Sequence, residues 1–224
     1  LSIRRQRQMC IRDRDKTAFI VYDRRITYGE LESRANRAAH MILTLTGTAN
    51  RPAASLMEES VNTAIAMLAI LKAGKAYVPL NAAYPESRLA HMVEESGAEV
   101  IVTDAAHTGK AEELAGGRDV VDIDSLPENL PCTPPGVAFK PDDLACILYT
   151  SGSTGDPKGV FNTYRQFYPT VITNRESVGL TENDIFLLFG SFAASGPARA
   201  TLWALVTGAT LRAGTADDLA SIPE

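Results

Sequence analysis

Apolar residues along the chain switch repeatedly between short continuous runs and helical spacing. The runs are Ala18–Tyr22, Ile26–Tyr28, Ala53–Met57, Ala76–Leu80, Glu99–Thr103, Val120–Asp122, Leu144–Tyr149, Val160–Asn162, Ile185–Phe189 and Ala209–Leu211. Their length and their Val, Ile, Tyr and Phe content predict strands. Between them, Leu31, Ala35, Ala38, Ala39 and Ile42 mark one face of a helix, and Val61–Ala73 is apolar almost all round, as a buried helix is. Tyr84-Pro85 opens a further helix, with proline near the first position, where its missing N–H costs nothing. Tyr164–Val178, which Pro169 is expected to kink or delay, and Ala198–Val206 complete the set. Thr27 and Glu30 have the spacing of a capping box. Gly74, Gly97 and Gly208 are placed to stop helices. Strand–helix alternation at this spacing predicts an α/β fold with mainly parallel sheets flanked by helices.

One stretch does not serve the core alone. Leu144–Tyr149 reads as a buried strand, and it runs into Thr150-Ser151-Gly152-Ser153-Thr154-Gly155-Asp156-Pro157-Lys158-Gly159. Glycines let backbone N–H groups approach an anion, hydroxyls add donors, and Lys158 adds a mobile cation. The pattern departs from the Gly-x-x-x-x-Gly-Lys-Ser/Thr phosphate loop, because Lys158 follows Pro157 and precedes Gly159. A plain Ser/Gly linker would need neither the strand before it nor the Pro-Lys-Gly ending.

Tyr149 to Gly155 together with Pro157-Lys158-Gly159 closely resembles the signature loop of the adenylate-forming superfamily, which includes peptide-synthetase adenylation domains, acyl-CoA synthetases and luciferases. Ile26–Leu31 and Leu71–Asn81 are similar to two further blocks of that family, and the resemblance runs from about Ala18 to Leu211. A tyrosine, Tyr164, stands where the family usually has histidine. The resemblance implies an incomplete N-terminal subdomain of an adenylate-forming enzyme over residues 15–224, truncated at the C-terminus. The family's adenine-binding Tyr-Gly-Pro-Thr-Glu block, ribose-binding Asp, hinge and late catalytic Lys have no counterpart in these residues.

Composition narrows the partners. The net charge of −5 gives no case for nucleic acid. No apolar run approaches the ~20 residues of a bilayer-spanning helix. Three widely spaced cysteines do not make a disulfide framework, and a reducing cytoplasm is the default setting. Cys146, within an apolar strand, reads as a small core residue. His40, His91 and His107 lack metal-ligand spacing and read as surface or boundary residues. Residues 1–14 carry five arginines against Asp13 alone, with no apolar period. They read as a basic arm or, preferably, as non-native sequence, and are left out of the fold. Lys72 and Lys75 are expected to be solvated near a helix C-terminus, where cations are favoured.

The resemblance implies the chemistry. A carboxylic acid attacks the α-phosphorus of ATP, pyrophosphate leaves, and the acyl-adenylate passes to a thiol on a carrier-protein pantetheine or on CoA. Thr150, Ser151, Gly152, Ser153, Thr154 and Gly155 would hold the phosphates, Lys158 would neutralise charge as the catalytic cation, and Mg²⁺ would bridge oxygens. Ser191–Ser195 aligns with the block that begins the acyl pocket, placing Ala193, Ala194 and Pro197 on its wall. Relatives that activate amino acids carry Phe-Asp-x-Ser there, and here the Asp position is Ala193. The same turn also reads as merely packed apolar. Three functions stay open: a peptide-synthetase adenylation domain, an acyl-CoA or aryl-CoA ligase, and an inert nucleotide-binding fragment.

Overall fold

The structure, a computed structural model, describes residues 14–21, 24–151, 157–189 and 195–214. Five strands, β3 (Pro52–Met57), β4 (Ala76–Asn81), β5 (Val100–Thr103), β6 (Asp119–Asp122) and β7 (Leu144–Ser151), run parallel in the order β6-β5-β3-β4-β7. β8 (Pro157–Thr163) closes this six-stranded sheet antiparallel to β7. A second sheet has the order β2-β1-β10-β9, from β1 (Thr17–Val21), β2 (Arg24–Thr27), β9 (Ile185–Leu188) and β10 (Thr210–Ala213). The expected α/β class with mainly parallel sheets is the class observed.

The central strands are buried on both faces, as parallel sheets covered by crossover helices must be. Ala53, Ala54, Leu56, Val78, Ile101 and Val102 are all fully buried. α1 (Tyr28–Thr46) and α2 (Val61–Lys72) share one core with β1 and β10, while α3 (Glu86–Ser96) and α4 (Thr108–Ala115) pack on another. β5 and β6 are four residues each, and α4 between them is a helix that the apolar pattern did not announce. Gly109 inside it and only Ala111, Leu114 and Ala115 on its buried face explain the weak signal.

Capping sets the helix starts. Thr27 Oγ1 accepts from the Glu30 N–H, and the Glu30 carboxylate accepts from the Thr27 N–H at 2.9 Å, as the spacing predicted. α5 (Tyr164–Val178) carries Pro169 inside it and still begins at Tyr164. Thr163 donates from both its N–H and its hydroxyl to Gln166 Oε1, which fixes the first turn upstream of the proline. α6 (Ser195–Thr207) leads through Gly208 into β10. Gly74, at φ +71°, ends α2 and lies where a Cβ would meet Val137 at 2.7 Å, so both the turn and the packing require glycine.

Lys75 corrects an expectation: it is buried, at 1% exposure. Its ammonium donates to Ala49 O at 2.8 Å and Thr46 O at 3.3 Å. α1 has no basic residue in its last turn, and the reversal at Gly74 carries Lys75 beneath that helix end instead. The cation therefore serves the last carbonyl of a neighbouring helix and one in the turn that follows it. Lys72 is half-covered as well and pairs with Glu32 at 3.2 Å.

Candidate functional site

β7 and β8 form a hairpin at the side of the sheet, and its register fixes the loop's geometry. Tyr149 pairs with Gly159, Thr150 with Lys158, and Ser151 with Pro157. The expected phosphate residues Gly152, Ser153, Thr154 and Gly155 lie outside the described residues, as does Asp156. Both stems are nevertheless set, because five residues must close from Ser151 to Pro157. The hairpin opens at the carboxyl end of β7, the edge of an open parallel sheet where ligands bind.

Lys158 and Thr150 are exposed and directly opposite one another. Among the described residues no hydrogen bond or ion pair engages Lys158, and its side chain is exposed beside the loop. Pro157 is tolerated because β8 is an edge strand. At Gly159 a Cβ would stand 3.1 Å from Ile147 Cγ2 and 3.5 Å from the Tyr149 ring. Glycine there lets β8 lie close against the strand that carries the loop.

Two contacts that sequence reasoning missed hold β7 at its ends. At the start, the Leu144 N–H donates to Asn50 Oδ1 at 2.8 Å, and Asn50 Nδ2 donates to Leu144 O at 3.1 Å and to Gly74 O at 2.7 Å. At the far end, the Tyr149 hydroxyl donates to Met92 O of α3 at 2.9 Å. Burial first, then Glu95, holds that phenol above its usual range. Tyr149 was legible as part of the motif, whereas nothing in the pattern singles out Asn50.

Behind the hairpin, Cys146 is buried as expected, and burial pushes its thiol up to about 12. Tyr164 stacks on Phe139 with ring centroids 4.7 Å apart. Burial and, secondly, the Asp143 carboxylate raise its phenol above the ordinary range, and its Oη has no partner among the described residues.

Of the expected pocket wall, Ala193 and Ala194 lie outside the described residues. Pro197 sits in the first turn of α6, half-buried, with its carbonyl accepting from Thr201 Oγ1 at 2.9 Å. Among the described residues no group of three or more His, Cys, Asp or Glu is placed to hold a metal ion, and no helix is long and apolar enough to cross a membrane.

A family model described as AMP-binding enzyme matches residues 7–222. Tyrocidine synthase 1 of Brevibacillus parabrevis is 32% identical over 200 residues, covering 88% of this chain and 18% of the relative. Surfactin synthase subunit 2 of Bacillus subtilis is 35% identical over 195 residues, covering 87% of this chain and 5% of the relative. The chain thus spans less than a fifth of the length of either. Among solved structures, the AMPPNP-bound form of the nonribosomal peptide synthetase FmoA3 matches with a TM-score of 0.84 at 27% identity, over 94% of this chain and 22% of that one. The o-succinylbenzoate coenzyme A synthetase of Bacillus subtilis in complex with AMP gives 0.81 at 23% identity, over 96% of this chain and 57% of that one, a likeness of fold. With hairpin, sheet order and sequence in agreement, the chain belongs to the AMP-binding enzyme family of adenylate-forming ligases and is similar to the N-terminal part of a nonribosomal peptide synthetase adenylation domain.

Proposed function

We propose that this chain is the leading part, over residues 15–224, of an enzyme that activates a carboxylic acid as its acyl-adenylate, for transfer to the pantetheine thiol of a carrier protein. The observation that carries this reading is the β7–β8 hairpin. It sets an exposed Lys158, with no ion pair among the described residues, opposite Thr150 at the mouth of a Gly/Ser/Thr connection. Peptide-synthetase relatives at 32–35% identity support the choice of class.

In this reading Thr150 and Ser151 at the stem, with Gly152, Ser153, Thr154 and Gly155 between the strands, donate hydrogen bonds to ATP phosphates. Lys158 lies against the oxygens that gain charge as a substrate carboxylate oxygen bonds to the α-phosphorus and the bond to pyrophosphate breaks. Such a reaction asks for positioning and charge neutralisation rather than a base. Mg²⁺ when bound supplies further neutralisation on those oxygens. It would arrive with ATP and water as its main ligands, since Mg²⁺ seldom takes an all-protein cage. Ala193, Ala194 and Pro197 would line the acid's pocket.

A second reading, an acyl-CoA or aryl-CoA ligase, is favoured by Ala193 at the position where activators of α-amino acids carry Asp. ATP–pyrophosphate exchange tests both. The 224-residue chain is assayed beside a version extended through the rest of a complete adenylation domain, with carrier protein and CoA then compared as acceptors. Exchange by the extended chain and none by the 224 residues is the expected result. No exchange by the extended chain with any acid would overturn the assignment and leave a nucleotide-binding role. Acyl transfer to CoA alone would select the second reading.

A further inference from the structure

A cavity of about 540 Å³ is lined by Arg24, Arg25, Ile26, Gly29, Glu30, Ser33, Arg34, Arg37 and Val61. Four guanidinium groups face one carboxylate in it. Glu30 is already engaged by Thr27, from both N–H and hydroxyl. Arg34 is engaged by Asp124 Oδ1 at 2.7 Å and Asn62 Oδ1 at 3.0 Å. Among the described residues Arg37 gives only its Nε, to Cys132 Sγ at 3.0 Å. Arg24 and Arg25 are exposed, with no ion pair among the described residues.

Arg24, Arg25 and Ile26 are consecutive in a strand, where neighbouring side chains point to opposite faces. A cavity touching all three runs along the strand's edge. β2 is an edge strand: it pairs with β1, and no described strand takes its other side. The opposite wall is α1, from Gly29 to Arg37, about 12 Å at the helical rise per residue. That is the span of about four residues of extended chain. We propose that this groove binds an acidic peptide in extended conformation, paired with the free edge of β2 and with its carboxylates against Arg24, Arg25 and Arg37.

Charge decides among occupants. A second copy would bring Arg24 and Arg25 against themselves. The chain's own residues 1–13 carry Arg4, Arg5, Arg7 and Arg12 against Asp13 and are repelled likewise. A small polyanion would be met best by cations converging on one point, and these are spread along the groove. Charged side chains also guard edges against pairing, but edge protection asks for no second basic wall across a cavity. Arg-lined clefts and free sheet edges are two recurrent ways of taking peptides.

The test uses the 224-residue chain and a fluorescein-labelled acetyl-Glu-Ile-Glu-Asp-Glu-amide peptide, followed by anisotropy at low and high salt. Saturable binding is expected, weakened about tenfold or more at high salt and by Arg24→Glu/Arg25→Glu to a similar extent. The Gln-for-acid version of the peptide should not bind. Deuterium exchange at the amides of residues 24–27 should slow when the acidic peptide is bound. Arg24→Gln/Arg25→Gln, checked by circular dichroism, repeats the test should charge reversal perturb folding. Absent binding, equal binding of the neutral peptide, or unslowed exchange at residues 24–27 would overturn the proposal. Tripolyphosphate binding with the same arginine dependence, in place of the peptide, would make it a small-anion site.

Discussion

Asn50 takes both backbone groups of Leu144, accepting from its N–H at 2.8 Å and donating to its carbonyl at 3.1 Å. A side-chain amide thus pairs with the strand as a backbone neighbour would, at the point where the long connection enters the sheet. The same amide donates to Gly74 O, so one side chain ties the end of α2 to the start of β7. Asn50→Ala should cost about 2–3 kcal/mol, from three lost hydrogen bonds of about 1 kcal/mol each. Asn50→Asp keeps the acceptor for the Leu144 N–H but sets a carboxylate oxygen against two carbonyls, and should cost at least as much. Urea unfolding midpoints measure this, and a change below about 0.5 kcal/mol for Asn50→Ala would mean that water replaces the amide at no cost.

Lys75 and Lys158 separate stability from chemistry. Lys75 is buried against carbonyls, and Lys75→Met should lower the melting temperature without altering ATP use by the extended enzyme. Lys158→Ala, at an exposed position, should leave melting unchanged and weaken ATP use, since in the proposed role it removes a point charge from the phosphates. Desolvation holds the Lys75 pKa below its usual 10.5, opposed by Glu99. Between the folded and unfolded values the unfolded chain binds more protons, so this group makes stability rise with pH. Below that window both states are protonated and the slope vanishes. Urea titrations from neutral pH towards the ordinary lysine value should show that rise in the wild type and lose part of it in Lys75→Met.

Much of this was legible because local and tertiary signals agree. The capping box at Thr27 and Glu30, the apolar face of α1 and the stop at Gly74 are each fixed by neighbours within a few residues. Ala145–Tyr149 is buried on both faces and reads, with Leu144, as one apolar run. Lys75 was misread because its partners, Thr46 and Ala49, are far away in sequence, and no periodicity reports a helix end arriving from elsewhere. Asn50 escaped for the same reason: an isolated Asn in a turn looks like any other. The long connection before β7 also gave no pattern, though Phe139 within it stacks on Tyr164 and Cys132 O accepts from Asn36 Nδ2 at 2.6 Å.

The two described cysteines should differ sharply in reactivity. Cys132 is exposed, and hydrogen bonds from Ser33 and then Arg37 hold its thiol below the usual 9.0, while Cys146 is buried and pushed up to about 12. The thiolate is the reacting species. Iodoacetamide at neutral pH should therefore label Cys132 and leave Cys146 until the chain unfolds. Arg37→Leu should slow the Cys132 reaction at that pH. Peptide mass spectrometry reads both rates, and equal labelling of the two in the folded chain would contradict the burial of Cys146.

The last prediction concerns the acid that is activated. A buried α-ammonium without a carboxylate partner costs several kcal/mol. By the family resemblance Ala193 takes the position of an Asp expected in activators of α-amino acids, and no acid occurs between Phe189 and Leu211 to replace it. Asp184 is nearest upstream, and it is held: its carboxylate accepts from the Thr181 N–H and hydroxyl, both at 2.7 Å. Those bonds draw its pKa below the usual 3.8, and its place before β9 is exposed. It is therefore committed to its own turn. The extended enzyme should prefer an acid without a free α-amino group, such as a hydroxy, keto, aryl or fatty acid, or a β-amino acid bound differently. Ala193→Asp should bring in α-amino acid-dependent pyrophosphate exchange and reduce exchange with the native acid, because an unpaired carboxylate then faces it. A panel of proteinogenic amino acids and such acids, run on wild type and variant, decides the matter. Strong wild-type preference for an ordinary L-α-amino acid, undiminished in Ala193→Asp, would show that the ammonium finds its partner elsewhere in the enzyme.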